Sequence, residues 1–259
     1  MMPSLFVAHG SPMIAIEDTA YADFLGELGT RIGRPRAVVV FSAHWESARQ
    51  MLSTAARHAP MYDFGGFPEA LYQVRYTPPG DPDLGQKLAA SLQELGVSVE
   101  QDRHRALDHG VWTVLCRLFP KADVAVIAMS VNAKLDPKEQ YRIGAALGPW
   151  RSQNVLIIGS GVTVHNFELL RQSQDAQVKE RVLAFEDWLE DALKRWDLNA
   201  LFHYETAAPH AAMAVPRLAN EHFVPLFYAM GAAEDQGKTT TLYRDLQWNV
   251  MTNSVYQFG

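Results

Sequence analysis

Phe6–Gly10 reads FVAHG and Val39–Trp45 reads VVFSAHW. In each stretch an apolar run stops at a histidine. Two further apolar runs, Val124–Met129 and Val155–Ile158, share the character of Leu5–Ala8 and Ala37–Phe41. All four are short, rich in Val, Ile or Phe, and lack alternation, which predicts strands covered on both faces, as in a parallel sheet. Helical periodicity lies between or after them. In DPDLGQKLAASLQELG, Leu84, Leu88, Leu92 and Leu95 share a face; Pro82 suits the first turn and Gly96 the left-handed residue after the last. Val178, Val182, Phe185, Leu189, Leu193 and Trp196 form a second stripe, and helices are also predicted near Asp18–Leu28, Pro137–Leu147 and Phe223–Met230. The expected fold is α/β: a single catalytic domain over residues 1–259 with a central, mainly parallel sheet flanked by helices. Its site is expected at the strand C-terminal ends, where open α/β sheets bind ligands.

Composition narrows the function. The 259 residues carry 23 Lys and Arg against 29 Asp and Glu, a net charge of −6, with no basic block, which argues against nucleic acid. Cys116 is the only cysteine, so no internal disulfide can form and a reducing compartment is expected. The start has no basic n-region and no apolar run reaches about 20 residues, so neither a signal peptide nor a membrane span is expected. These points predict a cytoplasmic protein. Residues 59–80 hold several Pro and Gly beside Tyr62, Phe64, Phe67, Tyr72 and Tyr76, a structured excursion in which the aromatics close the core or cover a flat ligand.

The polar residues after the strands converge if the strands are parallel. His9 and Ser11 follow the first, Ser42 and His44 the second, Ser130 and Asn132 the third, and Ser160, His165 and Asn166 the fourth. Neutral imidazole is the commonest protein metal ligand, and His9 and His44 are candidate ligands from separate strands. In ANEHFVPLF, either Glu221 or His222 could supply a third: a carboxylate completes a 2-His-1-carboxylate set, an imidazole a three-histidine set. Adjacent side chains diverge, so one of the two is expected, not both. His109 in LDHGVW reads equally as part of a helix cap or as an acid–base group. His58 and His104 are expected in solvent, His210 near the pocket, and Cys116 in the core. GSGVTV lacks the last glycine of a dinucleotide fingerprint and the Lys of a P-loop, and Ser160 lacks the flanking glycines of a nucleophile elbow.

Six motifs in order, AHGSPM (8–13), SAHWE (42–46), YDFGGFPEALYQVRYTPPGDP (62–82), LDHGVW (107–112), GSGVTVHN (159–166) and EHFVPLFYAMGAA (221–233), resemble the class III extradiol ring-cleaving dioxygenases, in their DOPA 4,5-dioxygenase-like branch. The resemblance spans nearly the whole chain. It implies Fe(II) as the active metal, with Zn(II) able to occupy the site, and His9, His44 and His222 as metal ligands. Glu221 stands where the wider class supplies a carboxylate. It further implies His165 as the acid–base histidine, His109 in the pocket, and a catechol and O2 as substrates, opened to a muconic semialdehyde. Two other readings compete: a metal-binding protein on the same scaffold without ring cleavage, and a metal-dependent hydrolase.

Overall fold

The computed structural model describes residues 1–259. Eight strands form one sheet: β1 (Ser4–Ala8), β2 (Ala37–Glu46), β3 (Gln50–Ser53), β4 (Val99–Asp102), β5 (Ala125–Val131), β6 (Val155–Gly161), β7 (Thr239–Gln247) and β8 (Met251–Phe258). Their order across the sheet is β4-β3-β5-β2-β6-β1-β8-β7. The central four, β5-β2-β6-β1, are parallel and are those predicted from the apolar runs. Antiparallel strands add at both flanks, β3 against β5 and β8 against β1, with β7 closing a hairpin on β8. The sheet is therefore mainly parallel with antiparallel margins.

Each central strand points alternate residues to two cores. Phe6, Val39, Phe41 and Ile157 enter one, covered by helices Pro82–Glu94, Pro137–Ala145, Ala176–Lys194 and Pro225–Gly231. Leu5, Val38, Val40 and Ile158 enter the other, covered by helices Ala20–Ile32 and His109–Leu118. Two covered faces explain why these strands read as unbroken apolar runs. The helix Pro82–Glu94 starts at Pro82 under an Asp81 cap, and Gly96 beyond it has φ 77°, as its sequence requires. No helix is long and apolar enough to cross a membrane.

Two glycines of β6 set the depth of the site. A Cβ on Gly159 would lie 2.2 Å from the Pro225 carbonyl oxygen, and one on Gly161 would lie 2.1 Å from that of His222. Their missing side chains let residues 221–225 press against the strand, where the Val162 amide donates to the His222 carbonyl at 2.8 Å. This is the role of the GSG stretch that matched no phosphate-binding pattern.

Several expectations change. His44 does not follow the second strand: β2 runs on to Glu46, but its pairing with β6 stops at Ser42 and its register with β5 slips between Ser42 and Glu46. Such an irregularity re-aims side chains at a sheet rim. His58 is not solvated: it is 2% exposed, held between the Val126 and Arg105 carbonyls at 2.9 and 3.2 Å. Cys116 is half-buried, not in the core. His210 is exposed, beside Gln177, Glu180 and Arg181. His104 is exposed, as expected.

Candidate metal centre and its cavity

Three imidazoles converge at the C-terminal ends of β1 and β2. His9 follows β1, His44 lies in the slipped end of β2, and His222 sits in the turn before helix Pro225–Gly231. His9 Nε2 and His44 Nε2 are 3.0 Å apart, and His44 Nε2 and His222 Nε2 are 3.3 Å apart.

The neighbours decide where the ring protons are. Ser160 has one hydroxyl proton and donates it to the Gly110 carbonyl at 2.5 Å. Its oxygen, 3.2 Å from His9 Nδ1, is left to accept, so His9 carries its proton on Nδ1. Glu221 Oε1 lies 2.8 Å from His222 Nδ1 and fixes that proton in the same way. His44 Nδ1 faces Asp63 Oδ2 at 3.8 Å. The Nε2 lone pairs of His9 and His222 thus point toward His44 Nε2. With the His44 proton turned to Nδ1 and Asp63, three lone pairs meet, and they repel unless a cation lies between them. Nitrogens bound to one metal at adjacent positions, with bonds of about 2.1 Å, stand about 3 Å apart, so the donor set fits a divalent metal. Burial pushes the His44 imidazole down to about 2, with His109 and His222 adding repulsion, and drives His9 well below the usual range. Both are therefore neutral, the state a ligand needs.

The carboxylates near the cluster serve the imidazoles. Glu221 lies within reach of a metal together with His165 and His222, and Asp63 with His44 and His109. In each case a short bond to an Nδ1 proton accounts for the position: Glu221 on His222, and Asp63 on His109 at 3.0 Å. Burial opposes ionisation of both acids, but the imidazole contacts outweigh it and hold both below the usual carboxylate range.

His109 opens helix His109–Leu118; its ring centroid is 3.9 Å from that of His44, and the bond to Asp63 directs its free Nε2 away from the carboxylate. His165 stacks on His222 with centroids 3.5 Å apart and planes at 12°. Burial, with His222 next in weight, pushes the His165 imidazole down to about 3. His9, His44, His109 and His165 line a cavity of about 190 Å³ together with Phe64, Phe67, Phe167, Gln247, Trp248 and Met251.

Five sequence-predicted site residues, His9, His44, His109, His165 and His222, therefore meet in one place, and Ser11 reaches the cavity. Ser42 and Ser160 stand behind it, Ser42 donating to the buried Asp108 at 2.6 Å. Ser130 and Asn132 do not join: Ser130 Oγ accepts from the Met51 amide and Asn132 Oδ1 from the Lys134 amide. Asn166 caps a turn at Glu168. Sequence reasoning missed Asp63, visible only as the Asp of YDFGG, and the hairpin residues Gln247, Trp248 and Met251, which no motif marked.

A cluster of imidazoles over an aromatic-walled cavity, at the strand ends of an α/β sheet, fits a metal-dependent site for a flat ligand. Residues 3–259 match the family described as the catalytic LigB subunit of aromatic ring-opening dioxygenase, and the chain belongs to that family of metal-dependent extradiol oxidoreductases. It is 37% identical to the 4,5-DOPA dioxygenase extradiol of Beta vulgaris, over 98% of this chain and 96% of that one. It is 34% identical to the protein of that name from Portulaca grandiflora, over 98% and 95%. Among solved structures, an uncharacterized protein from Escherichia coli K12 superposes over all of both chains with a TM-score of 0.83 at 26% identity.

Proposed function

We propose that residues 1–259 act as one catalytic unit that opens the ring of a catechol with O2, giving a muconic semialdehyde, with Fe(II) held by His9, His44 and His222. The observation that carries this reading is the convergence of the three Nε2 atoms, at 3.0 and 3.3 Å, beside a cavity walled by aromatic rings. When bound, the iron supplies a Lewis acid that favours the ionised catechol and a path for electrons from the ring to dioxygen. The chain's own residues do the rest. Phe64 and Phe67, in edge-to-face contact at 5.3 Å, exclude water from one flank of the cavity. His109, its Nδ1 proton engaged by Asp63, offers Nε2 as an acceptor for a hydroxyl proton of the substrate. His165, neutral at pH 7 and held flat on His222, takes and returns the second proton during ring opening.

A hydrolase built on Ser160 lacks support, because that hydroxyl is fully buried and committed to Gly110. Ring-cleaving and metal-storing roles separate in one experiment. The purified protein is loaded with Fe(II) without oxygen, then given air and a panel of catechols. A yellow semialdehyde is expected from at least one of them; iron retention with no product from any would favour the metal-binding reading.

A further inference from the structure

The cavity has a chemical bias that the family match leaves open. None of its lining residues is Lys, Arg, Asp or Glu. The nearest carboxylates, Asp63 and Glu221, are already engaged by His109 and His222. Burying a carboxylate or ammonium without a partner is costly, and a catechol with a charged tail would find only uncharged partners such as Ser11 and Gln247 there, with no ion pair to offset its lost water.

The apolar surface continues outward. Phe167 is 61% exposed and Trp248 is 51% exposed, yet both line the cavity, so they stand at its mouth. Phe167 is held edge-on to His165, with centroids 4.7 Å apart. Trp248 has a second peculiarity. It follows β7 in the hairpin turn to β8 with φ 52°, and the next residue, Asn249, has φ 62°. A left-handed turn favours Asn, Asp or Gly, and a bulky residue there is strained. Neither turn preference nor burial explains a tryptophan at this position. Strain of this kind collects at ligand clamps.

We propose, building on the dioxygenase reading above, that this site selects uncharged catechols carrying an apolar substituent, which Trp248 and Phe167 grip at the cavity mouth. The ring diol enters among the imidazoles, and the substituent covers the two exposed aromatic faces.

Calorimetry on the Fe(II)-loaded protein without oxygen, where no turnover occurs, tests this with catechol, 4-tert-butylcatechol, 3,4-dihydroxybenzoate and DOPA. The Kd for 4-tert-butylcatechol is expected to be about tenfold below that of catechol, with DOPA and 3,4-dihydroxybenzoate the weakest. Binding of either charged compound as tight as that of 4-tert-butylcatechol would overturn the proposal. Trp248→Asn, which suits the turn, is expected to bring the two uncharged ligands within about twofold of each other; an undiminished preference would overturn the role of Trp248. Admitting air to the same mixtures tests the parent reading separately. A binding preference without ring opening would sink the dioxygenase and leave the selectivity standing. Ring opening with DOPA preferred would do the reverse, and no binding of any catechol would sink both.

Discussion

At the scale of single residues, the third imidazole is the point on which the site turns. His222 directs Nε2 to the cluster while Glu221 holds its Nδ1 proton at 2.8 Å. If His222 binds the metal and Glu221 only orients it, as proposed, removing the two should differ. His222→Ala is expected to abolish iron retention after gel filtration, whereas Glu221→Ala should retain iron with an affinity lower by about 10–100-fold. Tight iron in the first variant and none in the second would make the carboxylate the ligand. His165→Ala should keep bound iron near the wild-type level yet lose ring opening by about 10²-fold or more, the scale of a positioned acid–base group. Full activity would remove its role. The residues themselves were readable: His9 and His44 end apolar runs, and the six ordered motifs carried His109, His165 and His222. The choice between His222 and Glu221 was not, because it depends on which atom faces the cluster, and adjacent residues in a turn give no period from which to tell.

At the scale of elements, the close approach of β6 to the 221–225 segment is what brings His222 within reach of His44. Gly161→Ala would put a methyl group 2.1 Å from the His222 carbonyl oxygen. Neither the strand, flanked by β1 and β2, nor the turn, anchored by helix Pro225–Gly231, has room to yield. The variant is expected to lose about 1–3 kcal/mol of stability, read by urea unfolding, and to lose iron as well. Loss of stability with unchanged iron affinity would show that the turn can shift without moving the imidazole. The four central strands were legible because both faces are apolar. β3 and β4 escaped notice because they are only four residues long. β8 escaped because it carries three consecutive buried polar side chains, Thr252, Asn253 and Ser254, which break the apolar pattern on both of its faces. One of them, Ser254, is satisfied by Glu186 at 2.7 Å, a partner far off in the sequence.

At the scale of the whole molecule, burial couples stability to pH at a point away from the site. His58 lies between the Val126 carbonyl of β5 and the Arg105 carbonyl of the segment before helix His109–Leu118, and its neutral ring, with one N–H, donates to one of them. Burial lowers its affinity for a proton; the two carbonyls only partly oppose this. In the unfolded chain the ring takes its proton near pH 6.5; in the folded chain it does so at lower pH. The unfolded state therefore binds more protons between those values, and stability is lost as pH falls from about 6.5 toward the folded value. Urea midpoints of the metal-free protein should drop between pH 7.5 and pH 5.5, and His58→Gln should lose less over that interval. An equal loss in both would mean that His58 does not contribute. From sequence His58 looked solvated because its neighbours are polar; its burial comes from contacts made across the fold by residues 78–80, 105 and 126.

The seating of β1 between β6 and β8 bears on how the protein is made. Ser4 pairs with Ile157 on one side and with Phe258 on the other. β1 thus waits for partners that lie far later in the chain, and until they arrive it presents an unpaired apolar edge of the kind that recruits other strands. Contacts so distant in sequence fold slowly. His9 sits at the end of that strand, so the imidazole cluster would be among the last parts of the molecule to assemble, after β6 and β8 have closed on β1.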